Sequence, residues 1–189
     1  SFELPALRSI FFVALDKNGL SVKRMQSFMT VQPGERLSCV GCHEERGKTA
    51  PPGVRSKAML RMPSKIKPIA DVPDIYDFPR DIQPILDKHC LPCHGPTKTD
   101  KGGPYAGKVL LDGGRGPMYS HSYWTITTRR LVADGRNGDG NRAPRTIGSS
   151  ASKLMKLIDG SHYKVTVSPR EKTMIRLWIE SAATYPGTY

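Results

Sequence analysis

All four cysteines of this 189-residue chain fall into one repeated pattern, Cys39-Val-Gly-Cys42-His43 and Cys90-Leu-Pro-Cys93-His94. Cys-x-x-Cys-His is the attachment signature of haem c: each thiol forms a thioether to a haem vinyl group, and the histidine lies under the iron and binds it from the proximal side. Two copies with no cysteine left over predict two haem c groups, one on Cys39, Cys42 and His43, the other on Cys90, Cys93 and His94. A four-cysteine zinc ribbon also pairs its thiols this way, but its pairs usually lie about 15–20 residues apart and need no histidine after each. Redox disulfides of the thioredoxin kind sit at helix N-termini after strands, a context neither pair has.

Composition agrees with a chain that borrows its core. Hydrophobic residues make up 38%, against 18 glycines and 16 prolines, so the sequence reads as loop-rich and thin in core material. Two haems would add large apolar surfaces for short helices to pack around, and folding would then depend on them. Thioether attachment belongs to oxidising compartments, which points to the periplasm or an equivalent extracytoplasmic space. The chain opens at Ser1-Phe2-Glu3-Leu4 without a basic, apolar leader, so a leader was removed or the chain continues a longer one. No segment approaches the roughly 20 apolar residues of a membrane span.

A net charge of +12 and an isoelectric point near 9.7 invite a nucleic-acid reading. The excess is spread over both ends rather than gathered into a stripe, and no nucleic-acid motif accompanies it. Docking to an acidic redox partner suits it better, because complementary charge mainly raises the encounter rate.

Local signals place the motifs. Ser9–Leu15 and Leu20–Met25 are β-prone and flank Asp16-Lys17-Asn18-Gly19, which predicts a hairpin closed by a type I′ Asn-Gly turn. Its apolar face needs cover, for which the first haem is the nearest candidate. Residues 44–73 are basic, proline-studded and aperiodic, as in a loop wrapping that haem. A short helix with Asp81 as N-cap and Pro84 in its first turn leads into Cys90. Gly102–Val109 nearly matches a phosphate-binding loop but has Val109 where the magnesium-holding hydroxyl belongs. Asp134–Asn141 lacks the closing glutamate of a calcium loop.

Residues 150–158 predict a helix with Leu154, Leu157 and Ile158 on one face. Ser168-Pro169-Arg170-Glu171 is a capping box with proline at the first helical position. After it, Ile175, Trp178, Ile179 and Ala182 recur at helical spacing, predicting an amphipathic helix against the one that leads into Cys90.

Three histidines remain for the distal sides of the two irons. His162, in the loop between the last two helices, is first choice for the second haem, because a loop there crosses the haem from the proximal helix. His121, just before another helical stretch, is the alternative. His89 precedes Cys90 and points more easily to the neighbouring haem. For the first haem the sixth position stays open among His89, His121, Met25 and a vacant site; Met155 and Met174 read as packing residues.

The run Phe12–Gly19, then Gln32–Glu35 and Cys39–Glu44, resembles the C-terminal half of the hydrazine synthase alpha subunit family. So do Gly160–Tyr163, Arg176–Glu180 and Tyr185–Tyr189. The resemblance implies a dihaem region preceded by a β-propeller, with a bis-histidine second haem whose distal ligand maps onto His162. In that family a tyrosine after the first motif binds iron and the motif histidine binds zinc, whereas the position four after His43 is Gly47 here. That departure implies ordinary His43 ligation.

The expectation is therefore a mainly α chain, with cytochrome c-like helices around two covalently bound haems, a small N-terminal β-hairpin and long loops. Residues 1–75 would carry the hairpin and first haem, and residues 76–189 the second haem domain. Electron transfer is the expected function. The alternative is a hydrazine synthase-like protein whose first haem binds or converts a small ligand such as nitric oxide, carbon monoxide or peroxide.

Overall fold

The computed structural model describes residues 1–38, 57–135 and 141–186. Cys39, Cys42, His43 and Gly47 lie outside the described residues, as does much of the 134–141 turn. The chain divides into two compact units. The first comprises Ser1–Phe12, Met25–Ala70 and Asp139–Asn141; the second comprises Val13–Arg24, Asp71–Gly138 and Arg142–Tyr189. The hairpin strands thus fall within the second unit, together with the segment carrying Cys90.

In the first unit, short extended stretches bridge one another. Ile10 and Met29 exchange backbone hydrogen bonds of 2.9 Å, and Glu3 N donates to Ser64 O. Phe2 meets Phe12 edge-on at 5.3 Å. Val31 is buried, but Phe2, Leu7, Phe28, Leu60 and Met62 are each more than half exposed.

The second unit holds strands β1 (Val13–Leu15) and β2 (Ser21–Arg24), paired antiparallel with Val13 opposite Arg24 and a bulge after Ala14. Its helices are α1 (Gln83–His89), α2 (Leu91–His94), α3 (His121–Thr128), α4 (Lys153–Leu157) and α5 (Pro169–Glu180). All are short except α5, and turns and irregular chain connect them.

The hairpin turn differs from the type I′ expectation. Gly19 takes a positive φ of +75° but Asn18 does not. Gly19 N donates to Asp16 O, and the Asp16 carboxylate accepts from Asn18 N and Leu20 N at 2.9 and 3.0 Å. The aspartate thus organises an ordinary turn closed by one left-handed glycine, so Asn18 need not enter the left-handed region. A side chain at Gly19 would also collide with the Arg176 guanidinium.

The buried residues of the hairpin pack within the second unit. Ser21 N donates to Ser149 Oγ at 3.0 Å, Arg24 Nη1 to Ile179 O at 3.1 Å, and Ser149 N to Glu180 Oε1 at 2.7 Å. Arg24 and Glu180 are both buried. Burial pushes the Arg24 guanidinium down from its ordinary value, against the opposing pull of Glu180 and Asp134.

The helix into Cys90 begins earlier than expected. Asp77, not Asp81, is the cap: its carboxylate accepts from Arg80 N at 3.0 Å, and Asp81 reaches back to accept from Asp77 N at 2.8 Å. A π-type turn over Phe78–Ile82 then feeds α1. Phe78 and Ile82, fully buried, explain the early start, since that turn drives both into the core.

Helix α5 carries the expected capping box, with Glu171 N donating to Ser168 Oγ and Ser168 N to Glu171 Oε2. Its buried face is Met174, Ile175, Trp178 and Ile179. The helix stops at Glu180; Ala182 has a φ of +67°, and Ala183 takes the buried place instead. In α4, Leu154, Met155 and Ile158 are buried while Leu157 is partly exposed.

Aromatic rings tie these elements together. Phe78 meets Tyr123 at 5.1 Å and Trp178 at 5.2 Å, and Tyr123 meets Tyr185 at 4.9 Å. Their polar tips are satisfied by backbone, Tyr123 Oη on Ala183 O and Trp178 Nε1 on Thr184 O, as buried aromatic residues require.

Candidate functional site

Helix α1 hands the chain directly to the second motif. Cys90 N donates to Leu86 O at 2.8 Å, and Cys90 O accepts from Cys93 N at 3.1 Å and His94 N at 2.9 Å. This turn sets both thiols on one face of the chain, with His94 beside them. The thiols are not joined to each other. Cys90 packs against the core, and burial pushes its thiol up to about 11, opposite to the lowered value of a redox-active thiol. Cys93 is more open, with Sγ 3.1 Å from Lys101 O.

His94 is oriented by backbone. Its Nδ1 lies 2.9 Å from Ala106 O. A carbonyl only accepts, so this contact puts the proton on Nδ1 and leaves the Nε2 lone pair available. Burial holds the imidazole below its ordinary value.

His162 comes from the loop between α4 and α5. Asp159 and Thr166 bridge across the base of that loop. Gly160, with φ of +99°, donates to Val165 O, and Val165 N donates back to His162 O, both at 2.9 Å. Between them Tyr163 and Lys164 are left-handed, with φ of 48° and 61°. The paired positive φ values expected at Asn18-Gly19 thus occur here, on two residues with side chains. Each such residue costs on the order of 1 kcal/mol.

The strained loop sets the His162 ring 6.0 Å from that of His94, centroid to centroid, with planes only 14° apart. Two imidazoles bound to one metal from opposite sides, through bonds of about 2 Å each, have centroids about 6 Å apart. The centroid spacing fits one metal ion held between the two rings. Tyr163, 90% exposed, meets the His162 ring edge-on at 4.9 Å.

The other expected ligands lie elsewhere. His121 opens α3 with Nδ1 2.8 Å from Asp112 Oδ1, and His89 Nε2 lies 3.1 Å from Glu171 Oε2. Met25 belongs to the first unit, beside Phe12. Among the described residues, His162 is the histidine whose ring faces His94. Reading the sequence alone passes over the Ala106 carbonyl and the left-handed Tyr163-Lys164 pair. A backbone acceptor leaves no mark in residue types, and neither tyrosine nor lysine signals a positive φ.

Residues 1–44 match the family model of the hydrazine synthase alpha subunit middle domain. The match takes in the first motif, ends one residue after His43 and does not reach Cys90, His94 or His162. No curated protein and no solved structure matches the chain. No helix among the described residues is long and apolar enough to cross a membrane.

Proposed function

We propose that this chain is a dihaem c-type electron-transfer protein of an extracytoplasmic compartment, serving an acidic redox partner. Cys90 and Cys93 would tether the second haem, and His94 and His162 would close its iron from both sides. Cys39, Cys42 and His43 would hold the first haem. The observation that carries this reading is the His94–His162 pair, near-parallel at 6.0 Å beside two unpaired thiols.

Bound there, haem iron supplies one-electron exchange between Fe(II) and Fe(III). The protein's own part is orientation. Ala106 O fixes the His94 tautomer, and the Asp159–Thr166 bridge holds His162 opposite. Six-fold ligation without a vacant side favours electron transfer over binding of small molecules.

The purified protein should show the absorption of low-spin haem c and a mass exceeding its polypeptide by two haems. His162→Ala should convert one haem to a high-spin spectrum while both stay attached. A colourless sample at polypeptide mass ends the proposal, and an unaltered low-spin spectrum in the variant removes His162 as ligand.

A second reading is favoured by the similarity of residues 1–44 to a hydrazine synthase domain: the first haem keeps an open side for nitric oxide, carbon monoxide or peroxide and is fed electrons by the second. Carbon monoxide added to the reduced protein separates the two. A shifted spectrum supports the open site, and an unchanged one leaves electron transfer.

A further inference from the structure

Exposed cations from three separate parts of the second unit sit on segments that contacts tie to those bearing the histidine pair. The turn that supplies Ala106 O to His94 includes Lys108, whose carbonyl accepts from Arg129 Nη2. Arg129 and Arg130 end α3, and the next residue, Leu131, accepts from Leu154 N at 2.8 Å, bringing Lys153 of α4 alongside. Lys156 O accepts from Ser161 Oγ at 2.9 Å, one residue from His162. Lys164 follows Tyr163 in the same loop.

Lys108, Arg129, Arg130, Lys153, Lys156 and Lys164 are all exposed, and none forms an ion pair with a described residue. Two carboxylates share these segments: Asp112 takes His121 at 2.8 Å, and Asp159, still charged, accepts from Ser161 N at 2.9 Å, so the six cations outnumber them. Two exposed rings, Tyr105 at 47% and Tyr163 at 90%, stand in the same loops as these cations.

We infer that this basic collar is the docking surface for an acidic redox protein, with electrons crossing beside Tyr163 and His162. The inference rests on the proposed electron-transfer function and gives its partner a place to land. An excess of cations beside exposed aromatic rings suits a transient protein contact: charge steers the encounter, and the rings supply apolar area. Nucleic acid fits less well, because no nucleic-acid motif accompanies the cations.

Two anionic probes test it on the haem-loaded protein. Redox-inert hexacyanochromate(III), a paramagnetic anion, should broaden the amide signals around Lys108, Arg129, Lys153 and Lys164 before others in the second unit. Hexacyanoferrate(III) should oxidise the reduced second haem at a rate that falls with added salt. The variant Lys153→Glu/Lys156→Glu/Lys164→Glu should lose about tenfold of that rate at low salt and gain rate with the cationic oxidant tris(phenanthroline)cobalt(III).

Lys17→Glu, in the exposed hairpin turn of the same unit, should change either rate less than about twofold. Equal losses in the two variants, or broadening centred on Lys17, would overturn the surface. So would duplex DNA that saturates the collar at about 0.15 M salt. A sample lacking haem would defeat the electron-transfer reading by itself. The hexacyanochromate map would still decide the collar, kept by broadening there and lost without it.

Discussion

The two units solve the problem of burying apolar side chains in opposite ways. The second encloses Phe78, Ile82, Ile126, Ile175, Trp178 and Ile179 completely, with helices supplying one wall each. The first leaves Leu7, Phe28, Leu60 and Met62 between 65% and 85% exposed and joins its short stretches by a few backbone bonds. Among its described residues Val31 is the buried apolar side chain, and the first haem of the proposed function would offer the others a surface to pack against. The lesson is that one chain can pair a region carrying its own core with one whose described residues leave most of their apolar side chains uncovered.

Removing attachment sites should give the largest contrast. Cys39→Ser/Cys42→Ser should leave residues 1–12 and 25–70 open to proteolysis while Val13–Arg24 and residues 71–186 stay protected. Cys90→Ser/Cys93→Ser should cost the second unit some stability without melting it. Equal collapse in both would break the comparison.

Next come single side chains. Trp178→Ala should lower unfolding free energy by about 3–5 kcal/mol in denaturant titration, whereas Phe28→Ala should stay within about 0.5 kcal/mol. A large cost at Phe28 would mean that the first unit has an interior after all.

The cap of α5 gives a smaller effect with a pH signature. Burial alone would raise the Glu171 carboxyl, but hydrogen bonds from Lys88, from Ser168 backbone and hydroxyl, and from His89 hold it at about 2, below its ordinary 4.5. Its contribution is complete above pH 4.5 and fades as the pH falls toward 2, because the unfolded chain takes up the proton first. Glu171→Gln should flatten the stability profile across that window, and Ser168→Ala should cost about 1 kcal/mol at neutral pH.

Smallest is the strain in the His162 loop. Lys164→Gly should raise the melting temperature slightly, by a gain of up to about 1 kcal/mol, because glycine meets no penalty at φ of 61°.

These contrasts also separate what was legible in the sequence from what was not. The hairpin, the Ser168–Glu171 box and the Ile175–Trp178–Ile179 face are local patterns, readable from spacing alone. The helical period points to Asp81 as the cap; the pull on Phe78 comes from Tyr123 and Trp178, distant in sequence. For the site, the motif singled out Cys90, Cys93 and His94, and the loop position singled out His162. That the last two face one another is a tertiary fact, produced by a bridge and two left-handed residues that no residue type advertises.

The Ser21–Ser149 hydrogen bond joins positions 128 residues apart, and this separation governs the order of assembly. A hairpin made early in synthesis must wait for Ser149 and the end of α5 before its buried serine meets Ser149 and its arginine meets Ile179 O. Closure of the second unit is therefore a late, long-range event, slow by the ordinary dependence of folding rate on contact order. Until then the segment bearing Cys90 and Cys93 stays reachable, which leaves a period in which thiols that the finished fold half covers are open to modification.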